Sequence, residues 1–436
     1  MFRLKKKHTV TFKRRRLLHI IYAYSFIVLF FVTIFVFDHY LLTRFSYEIA
    51  TIFYLIPIIA FASLTFYLFY TSRYSFSKIQ QIKAKLRHVI LFNQLYVTDK
   101  DTNPYKAVTS MKFKFYFQNH SLIIESYPNG APYTLQPDSL AKKLESALSM
   151  NLTDIKHRSP HFVTYEFSVN KPDRIIVNKA LLNDFDPLTI PLDSEKDWKF
   201  TNIPHALIAG ATGSGKTFMI YYLILQFAIR GADIFILDPK RSDLSSLKSS
   251  IPNALNRIAS TPATMAKILR EANDEMNKRY ETMFNKTDVE LGKNYNHYNL
   301  KPIVIVFDEV AAAMEEDKKI AKEIDSYLKQ LILKGRQAGI FMILSTQKPN
   351  AEAISTVVRD QIGLRIALGR LSKNGYRMTL GDEWDELPSA ETGTGKGFVF
   401  LDGEGWTLPR PFEAPYLDFD VLNYRQELYS AMINNR

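Results

Sequence analysis

Two groups of residues have the types and spacing to do chemistry. Gly210, Ala211, Thr212, Gly213, Ser214, Gly215, Lys216 and Thr217 form a G-x-x-x-x-G-K-[ST] loop inside "HALIAGATGSGKTFMI". Glycines in such a loop let the backbone turn sharply and aim N–H groups at phosphate oxygens. Lys216 would then reach the β and γ phosphates of ATP, and the Thr217 hydroxyl would hold Mg²⁺. The second group closes the apolar run "KPIVIVFDEVAAAM", which ends in Asp308 and Glu309. An acid at that strand end anchors Mg²⁺, usually through water, and the next acid can polarise the water attacking the γ phosphate. Glu309 is therefore the candidate general base, and Asp308 the metal-side carboxylate.

These groups need a scaffold, and the flanking sequence describes one. "HALIAG" is expected to be a buried strand, and "TFMIYYLILQFAI" a helix whose N-terminal dipole favours phosphate. "ADIFILDPKRSDL" and "GIFMILSTQKP" add two more apolar strands. Strands alternating with helices predict an α/β fold, a parallel sheet with helices on both faces. The segment "ETGTGKGF" superficially repeats the first loop, but its spacing is wrong and no Ser or Thr follows Lys396. It is expected to be a turn leading into a hairpin, "GFVFLDGEGW".

Composition narrows the remaining possibilities. The 436 residues, 47% of them apolar, can bury a full-size core and suggest two or three units. Cysteine is absent, which excludes disulfides, thiolate metal sites and cysteine nucleophiles. His157 and His161 have metal-ligand spacing, but Pro160 between them argues against a shared helix face. The net charge of +12 is concentrated: residues 1–16 carry eight Lys or Arg and no acid. From Thr71 onward 47 basic residues face 42 acidic ones, a balance of only about +5.

The basic tail flanks two stretches without a charged residue, 17–37 and 49–70, each long enough to cross a hydrocarbon core of about 30 Å as a helix. They are expected to form a transmembrane hairpin. Its connecting loop holds one basic residue, Arg44, while basic residues cluster before and after it. Both termini are therefore expected on the cytoplasmic side of the plasma membrane, with anionic lipid as partner of the 1–16 tail. Residues 71–100 should supply a juxtamembrane helix with Ile79, Ile82, Leu86 and Ile90 on one face. Residues 101–193 are expected to form a small α+β domain, 194–417 the nucleotide-binding domain and 418–436 a C-terminal tail.

"LIAGATGSGKT", "ILDPKRSDL", "EMNKRYETM", "VIVFDEVAAAM" and "LKGRQAGIFMILSTQKP", in this order, resemble the motor domain of FtsK/SpoIIIE DNA translocases over about Pro191 to Leu417. The resemblance implies a RecA-like P-loop ATPase motor, a homo-hexameric ring and ATP-driven movement of DNA. It implies that Gln347 senses the γ phosphate and that Arg336 reaches the nucleotide of a neighbouring subunit, where a positive fork stabilises transition-state charge. It also places Asp238 and Lys240 of "DPK" at a strand end facing the nucleotide. Lys348, Arg359, Arg370 and Lys373 fall in loops where a DNA pore would lie, since phosphate contacts need only positive charge at the right radius.

Within that family, chromosome pumps usually carry four membrane helices, a long linker and a direction-reading module, and protein exporters string several ATPase domains together. Two membrane helices and one motor look most like the TcpA-type coupling protein of Gram-positive conjugative plasmids and integrative elements. Its expected partners are DNA, a relaxase or relaxosome and type IV secretion channel proteins. A pump working at division, and a protein-export ATPase, are the alternatives.

Overall fold

The computed structural model describes residues 7–12, 17–36, 47–72, 74–99, 103–118, 121–128, 130, 137–159, 161–169, 172–284, 292–347, 349, 354–381, 387 and 393–434; for 17–20, 34, 36, 47–54, 57, 99, 103–106, 137–138, 157–159 and 284 it describes the backbone alone. The chain divides into two units, Met1–Asn170 and Lys171–Arg436.

In the first unit, strand β1 (His8–Val10) precedes helices α1 (Leu17–Val36) and α2 (Tyr47–Tyr70). These two helices form at the two predicted apolar stretches. Tyr24 meets Phe61 edge-on at 5.4 Å, and its hydroxyl lies 3.2 Å from that of Thr65. Phe26, Leu29 and Phe35 are exposed on α1. Among the described residues, no helix is long and apolar enough to cross a membrane.

Helix α3 (Lys78–Phe92) follows, then the hairpin β2 (Tyr96–Asp99) and β3 (Asn103–Ser110), strands β4 (Lys112–Gln118) and β5 (Ser121–Tyr127), helix α4 (Pro137–Leu148), and strands β6 (Leu152–Ser159) and β7 (Phe162–Ser168). The five-stranded sheet runs β1-β4-β5-β7-β6, antiparallel throughout. Ile82, Leu86, Val89 and Ile90 are buried, so the apolar face of α3 packs into the unit's core.

Within residues 1–16, expected as a basic cytoplasmic tail, residues 8–10 form a strand of the sheet. His8–Val10 pairs with Phe113–Phe115, Val10 is buried, and Lys7 Nζ pairs with Glu125 at 2.5 Å. Only Val10 in "KHTV" is apolar, and a three-residue strand with one buried side chain is too short to stand out from a charge run.

The second unit begins with β8 (Ile176–Val177), α5 (Lys179–Asn183), β9 (Ile190–Pro191) and β10 (Asp197–Trp198). Because β8 pairs with β19 (Tyr416–Leu417), the segment 172–193 belongs with the nucleotide-binding part rather than with the small domain. The sheet elements in chain order are β11 (Ala206–Gly210), α6 (Lys216–Ile229), β12 (Asp233–Leu237), β13 (Ile258–Ala259), α7 (Pro262–Phe284), β14 (Ile303–Phe307), α8 (Val310–Glu316), α9 (Lys318–Ala338), β15 (Ile340–Thr346), α10 (Thr356–Arg359), β16 (Leu364–Leu368), α11 (Lys373–Leu380), β17 (Lys396–Leu401) and β18 (Arg410–Glu413).

The eight strands lie in the order β13-β12-β14-β15-β11-β16-β17-β18. The first six are mutually parallel, as expected; β17 and β18 form the hairpin expected at "GFVFLDGEGW", and it joins the same sheet, β17 antiparallel to β16. Successive strand residues feed two cores. Ile208, Val304, Val306, Phe341 and Ile343 meet α6 on one face, while Leu207, Ile303, Ile305, Met342 and Leu344 meet α7, α8 and α9 on the other. Strands buried on both faces read as unbroken apolar runs, and each such side chain contributes roughly 1.5–3 kcal/mol on burial.

Residues 418–436, expected as a tail, include helix α12 (Tyr424–Asn434). Its Tyr424 is buried and donates its hydroxyl to the Tyr221 carbonyl on α6 at 2.9 Å.

Candidate active site

All parallel strands end on one edge of the sheet, and the chemistry gathers there. Gly210 ends β11 and Lys216 opens α6. Gly213 and Gly215 have φ of +79° and +93°, which only glycine adopts without strain. A Cβ on Gly210 would come within 2.3 Å of Ser214 Oγ, and one on Gly215 within 2.7 Å of the Gly395 nitrogen. No side chain caps α6, and the buried Ser214 hydroxyl has no hydrogen-bond partner among the described residues. An uncapped helix start and an orphaned buried hydroxyl suit a phosphate group.

Lys216 is buried, and its Nζ donates to Ser345 Oγ at 3.0 Å and to Asp308 Oδ1 at 3.3 Å. Register explains the meeting: Phe307 pairs with Leu344, so Asp308 and Ser345 emerge side by side, and the Ser345 hydroxyl donates to Asp308 Oδ1 at 2.5 Å. Asp308 Oδ2 also accepts from Ser242 at 3.4 Å.

Glu309 sits in the left-handed region, φ 52° and ψ 64°, and is buried. For a non-glycine residue that conformation costs on the order of 1–3 kcal/mol and persists only where its surroundings over-determine it. They do: Oε1 accepts from the Thr346 hydroxyl at 3.2 Å, both oxygens lie 3.2 Å from the Gln347 N–H, and Oε2 accepts from Lys240 Nζ at 3.0 Å. Lys216 Nζ lies 3.9 Å from the same oxygen.

The FtsK/SpoIIIE family model matches residues 193–299. Over 334 residues the chain is 32% identical to the FtsK domain-containing protein YdcQ of Bacillus subtilis (strain 168), spanning 74% of this chain and 68% of that relative. The chain belongs to the FtsK/SpoIIIE family. The DNA translocase FtsK of Caldanaerobacter subterraneus subsp. tengcongensis is 30% identical over 240 residues, 52% of this chain and 33% of that protein. Among solved structures, the pCW3 conjugation coupling protein TcpA, in its monomer form with ATPγS, aligns with a TM-score of 0.52 and 19% identity over 80% of this chain and 98% of that one, a likeness of fold.

As an FtsK/SpoIIIE member the chain is a P-loop ATPase with a RecA-like motor fold. Bound ATP with Mg²⁺ would supply the transferable phosphoryl group and the divalent charge that neutralises its oxygens. Residues 210–217 would hold the phosphates, with Thr217, half-buried in the first turn of α6, and Asp308 on the metal side. Glu309 would take the proton from an attacking water. Its Oε2 lies 3.0 Å from Lys240 Nζ, so an attacking water there would share that oxygen with the ammonium or displace it.

The remaining predicted residues are distributed unevenly. Gln347 meets Glu309 through its backbone N–H. Asp238 is buried and accepts from Ser242 and from the Ser245 N–H and hydroxyl, so it organises the loop after β12. Arg336 is exposed near the end of α9, with its Nε 3.1 Å from the Thr201 carbonyl. It precedes β15 while Ser345 lies near that strand's far end, so about 17 Å of strand separates Arg336 from its own site. Arg359, expected in a pore loop, is instead 4% exposed, with Nη1 3.3 Å from Met378 Sδ. Arg370 and Lys373 are exposed; Lys348 lies outside the described residues.

Sequence reasoning missed a brace on the phosphate loop. The Gly395 N–H donates to the Ser214 carbonyl at 2.7 Å, and the Thr394 hydroxyl to that of Gly213 at 3.0 Å. Thus "TGTGK" is no second phosphate loop, yet it holds the first one. Arg174 reinforces it, donating to the Ala414 carbonyl at 2.6 Å, while the Ala414 N–H donates to Gly395 at 2.7 Å. The one sequence signal was the placement of two glycines directly before a strand.

Proposed function

We propose that this protein is a membrane-anchored, ATP-driven DNA translocase that acts as a conjugative coupling protein, delivering DNA and its bound relaxase to a type IV transfer channel. The observation that carries the motor reading is the convergence of Lys216, Asp308, Glu309 and Ser345 at adjoining strand ends beside the glycine loop. Coupling rather than division is supported by the TcpA likeness. It covers 80% of the chain, more than the motor unit's 266 of 436 residues, and so extends into the first unit.

The working form is a homo-hexamer with ATP and Mg²⁺ at each site. Arg336, far from its own nucleotide, reaches that of the neighbour, and a cyclic assembly lets every subunit both give and receive it. Plasma-membrane anchoring is read from the sequence alone: the stretches 17–37 and 49–70 carry no Asp, Glu, Lys or Arg and are each long enough to reach across a hydrocarbon core, although no helix over the described residues meets that measure. Pairing of His8–Val10 with Phe113–Phe115 supports a topology in which the segments before and after the hairpin share the cytoplasmic side.

The test is steady-state ATP hydrolysis by the full chain in mild detergent, alone and with single- or double-stranded DNA, over a range of salt. Stimulation by DNA that fades as salt rises is expected, because phosphate contacts release counterions. An assembled, ATP-hydrolysing protein indifferent to both DNAs would refute the DNA motor and point to a protein substrate.

A further inference from the structure

The first unit contains a cavity of about 1250 Å³ between α3 and α4. Lys85, Arg87 and His88 from α3 and Lys142 and Lys143 from α4 line it, and among the described residues no acidic one does. Its lining begins at Thr71 and Ser72, the first residues beyond α2. The corner is fixed by packing. Phe76 rests on the last turn of α2, 5.5 Å from the Tyr70 ring and 6.3 Å from that of Phe69, Ser75 is fully buried, and Gln81 donates to the Ser75 carbonyl at 2.5 Å. Lys85 Nζ donates to the Leu148 carbonyl at 2.9 Å, tying α3 to the end of α4.

We infer that this cavity binds the phosphate headgroup of an anionic phospholipid. The inference rests on the membrane reading of the hairpin. If Tyr70 marks the edge of the hydrocarbon, the cavity opens within the headgroup layer, which is roughly 5–7 Å deep on each side. Tyr67, Tyr74 and Phe76, all exposed, surround that level as aromatic side chains do at a membrane interface. A concave wall carrying five basic side chains and, among the described residues, no carboxylate suits a phosphodiester, and the volume admits a headgroup with its glycerol. DNA shares the phosphate chemistry, but a duplex would have to lie against the end of an apolar helix. His8–Val10 is committed to the sheet, and none of residues 7–12 lines the cavity.

The test uses the full chain reconstituted in vesicles of mixed phosphatidylglycerol and phosphatidylcholine. The ratio of the two lipids retained after mild extraction is measured for the wild type, for Lys142→Gln/Lys143→Gln and for the tail variant Lys5→Gln/Lys6→Gln. The wild type should enrich phosphatidylglycerol. The cavity variant should lose roughly thirtyfold in relative affinity, and the tail variant should retain most of the preference. No enrichment, or a preference that follows Lys5 and Lys6 alone, would overturn the inference. Displacement of the lipid by inorganic phosphate would reassign the cavity to a soluble phosphate, and displacement by a DNA duplex to nucleic acid; either result overturns the lipid assignment. Resistance to carbonate extraction from pure phosphatidylcholine vesicles is scored separately. Its absence sinks the membrane reading and the inference with it, whereas insertion without lipid preference sinks only the inference.

Discussion

His205 offers the sharpest quantitative check on the motor's architecture. It opens the strand leading to the phosphate loop, is fully buried and has φ of +61°. Its Nδ1 accepts from the Met342 N–H at 3.0 Å, and its Nε2 lies 3.0 Å from the Ile332 carbonyl, to which it donates. The ring thus joins β11, α9 and β15 as a neutral tautomer. Burial drives its pKa down from 6.5 to about 4, the Ile332 contact opposing only part of that shift. In the unfolded chain the imidazole protonates near pH 6.5, so acid favours the unfolded state. The neutral ring's contribution is complete above that pH and is lost as pH falls towards about 4. At about 1.36 kcal/mol per pH unit, the loss is about 3 kcal/mol.

The assay is urea unfolding followed by tryptophan fluorescence, which reports the second unit because Trp198, Trp384 and Trp406 all lie there. His205→Asn keeps a side chain that tolerates left-handed backbone but does not titrate, and should cost about 1–3 kcal/mol at neutral pH through the backbone partner left unpaired. As pH falls from 6.5 towards 4, the wild type should lose about 3 kcal/mol more than the variant. Parallel stability curves over that window would refute the claim that a neutral, buried His205 supports this junction.

Three further predictions address the site directly. Glu309→Gln should leave ATP binding intact and lower turnover by about 10²–10⁴; single-turnover hydrolysis at the wild-type rate would remove Glu309 as the base. Gly215→Ala sets a Cβ against the Gly395 backbone at a left-handed φ, so nucleotide affinity in an equilibrium binding assay should fall at least tenfold, a loss of about 1.4 kcal/mol. Unchanged affinity would show that the brace yields. Arg336→Ala mixed with wild type should depress ATPase activity more steeply than dilution does. A linear decline across the mixing series would leave Arg336 without a role in the neighbour's site.

How much was legible in the chain varies with the range of the interaction involved. The phosphate loop, the Asp308–Glu309 strand end and the two apolar helices are local: the dictating groups lie within one element or one turn, so spacing alone exposes them. The parallel order of the central strands follows from alternation of strand and helix. By contrast, β17 runs antiparallel to β16 although helix α11 lies between them, a direction set by tertiary pairing, and β18 returns beside β17 through a short hairpin; "GFVFLDGEGW" indicated only that hairpin. The basic run at residues 1–16 masked a strand because charge content dominates any reading of composition.

What the sequence alone determined, then, was the chemistry on offer: a glycine loop for phosphates, a lysine, two carboxylates and an arginine far along the chain. Only tertiary structure decided which of these touch. Strand register brings Ser345 to Asp308, a left-handed turn aims Glu309 at Lys240, and residues 394–395 clasp the loop at 213–214. Each pairing joins residues distant in sequence. Distant pairings carry no local signal, because their energy comes from hydrogen bonds made only after the sheet has assembled.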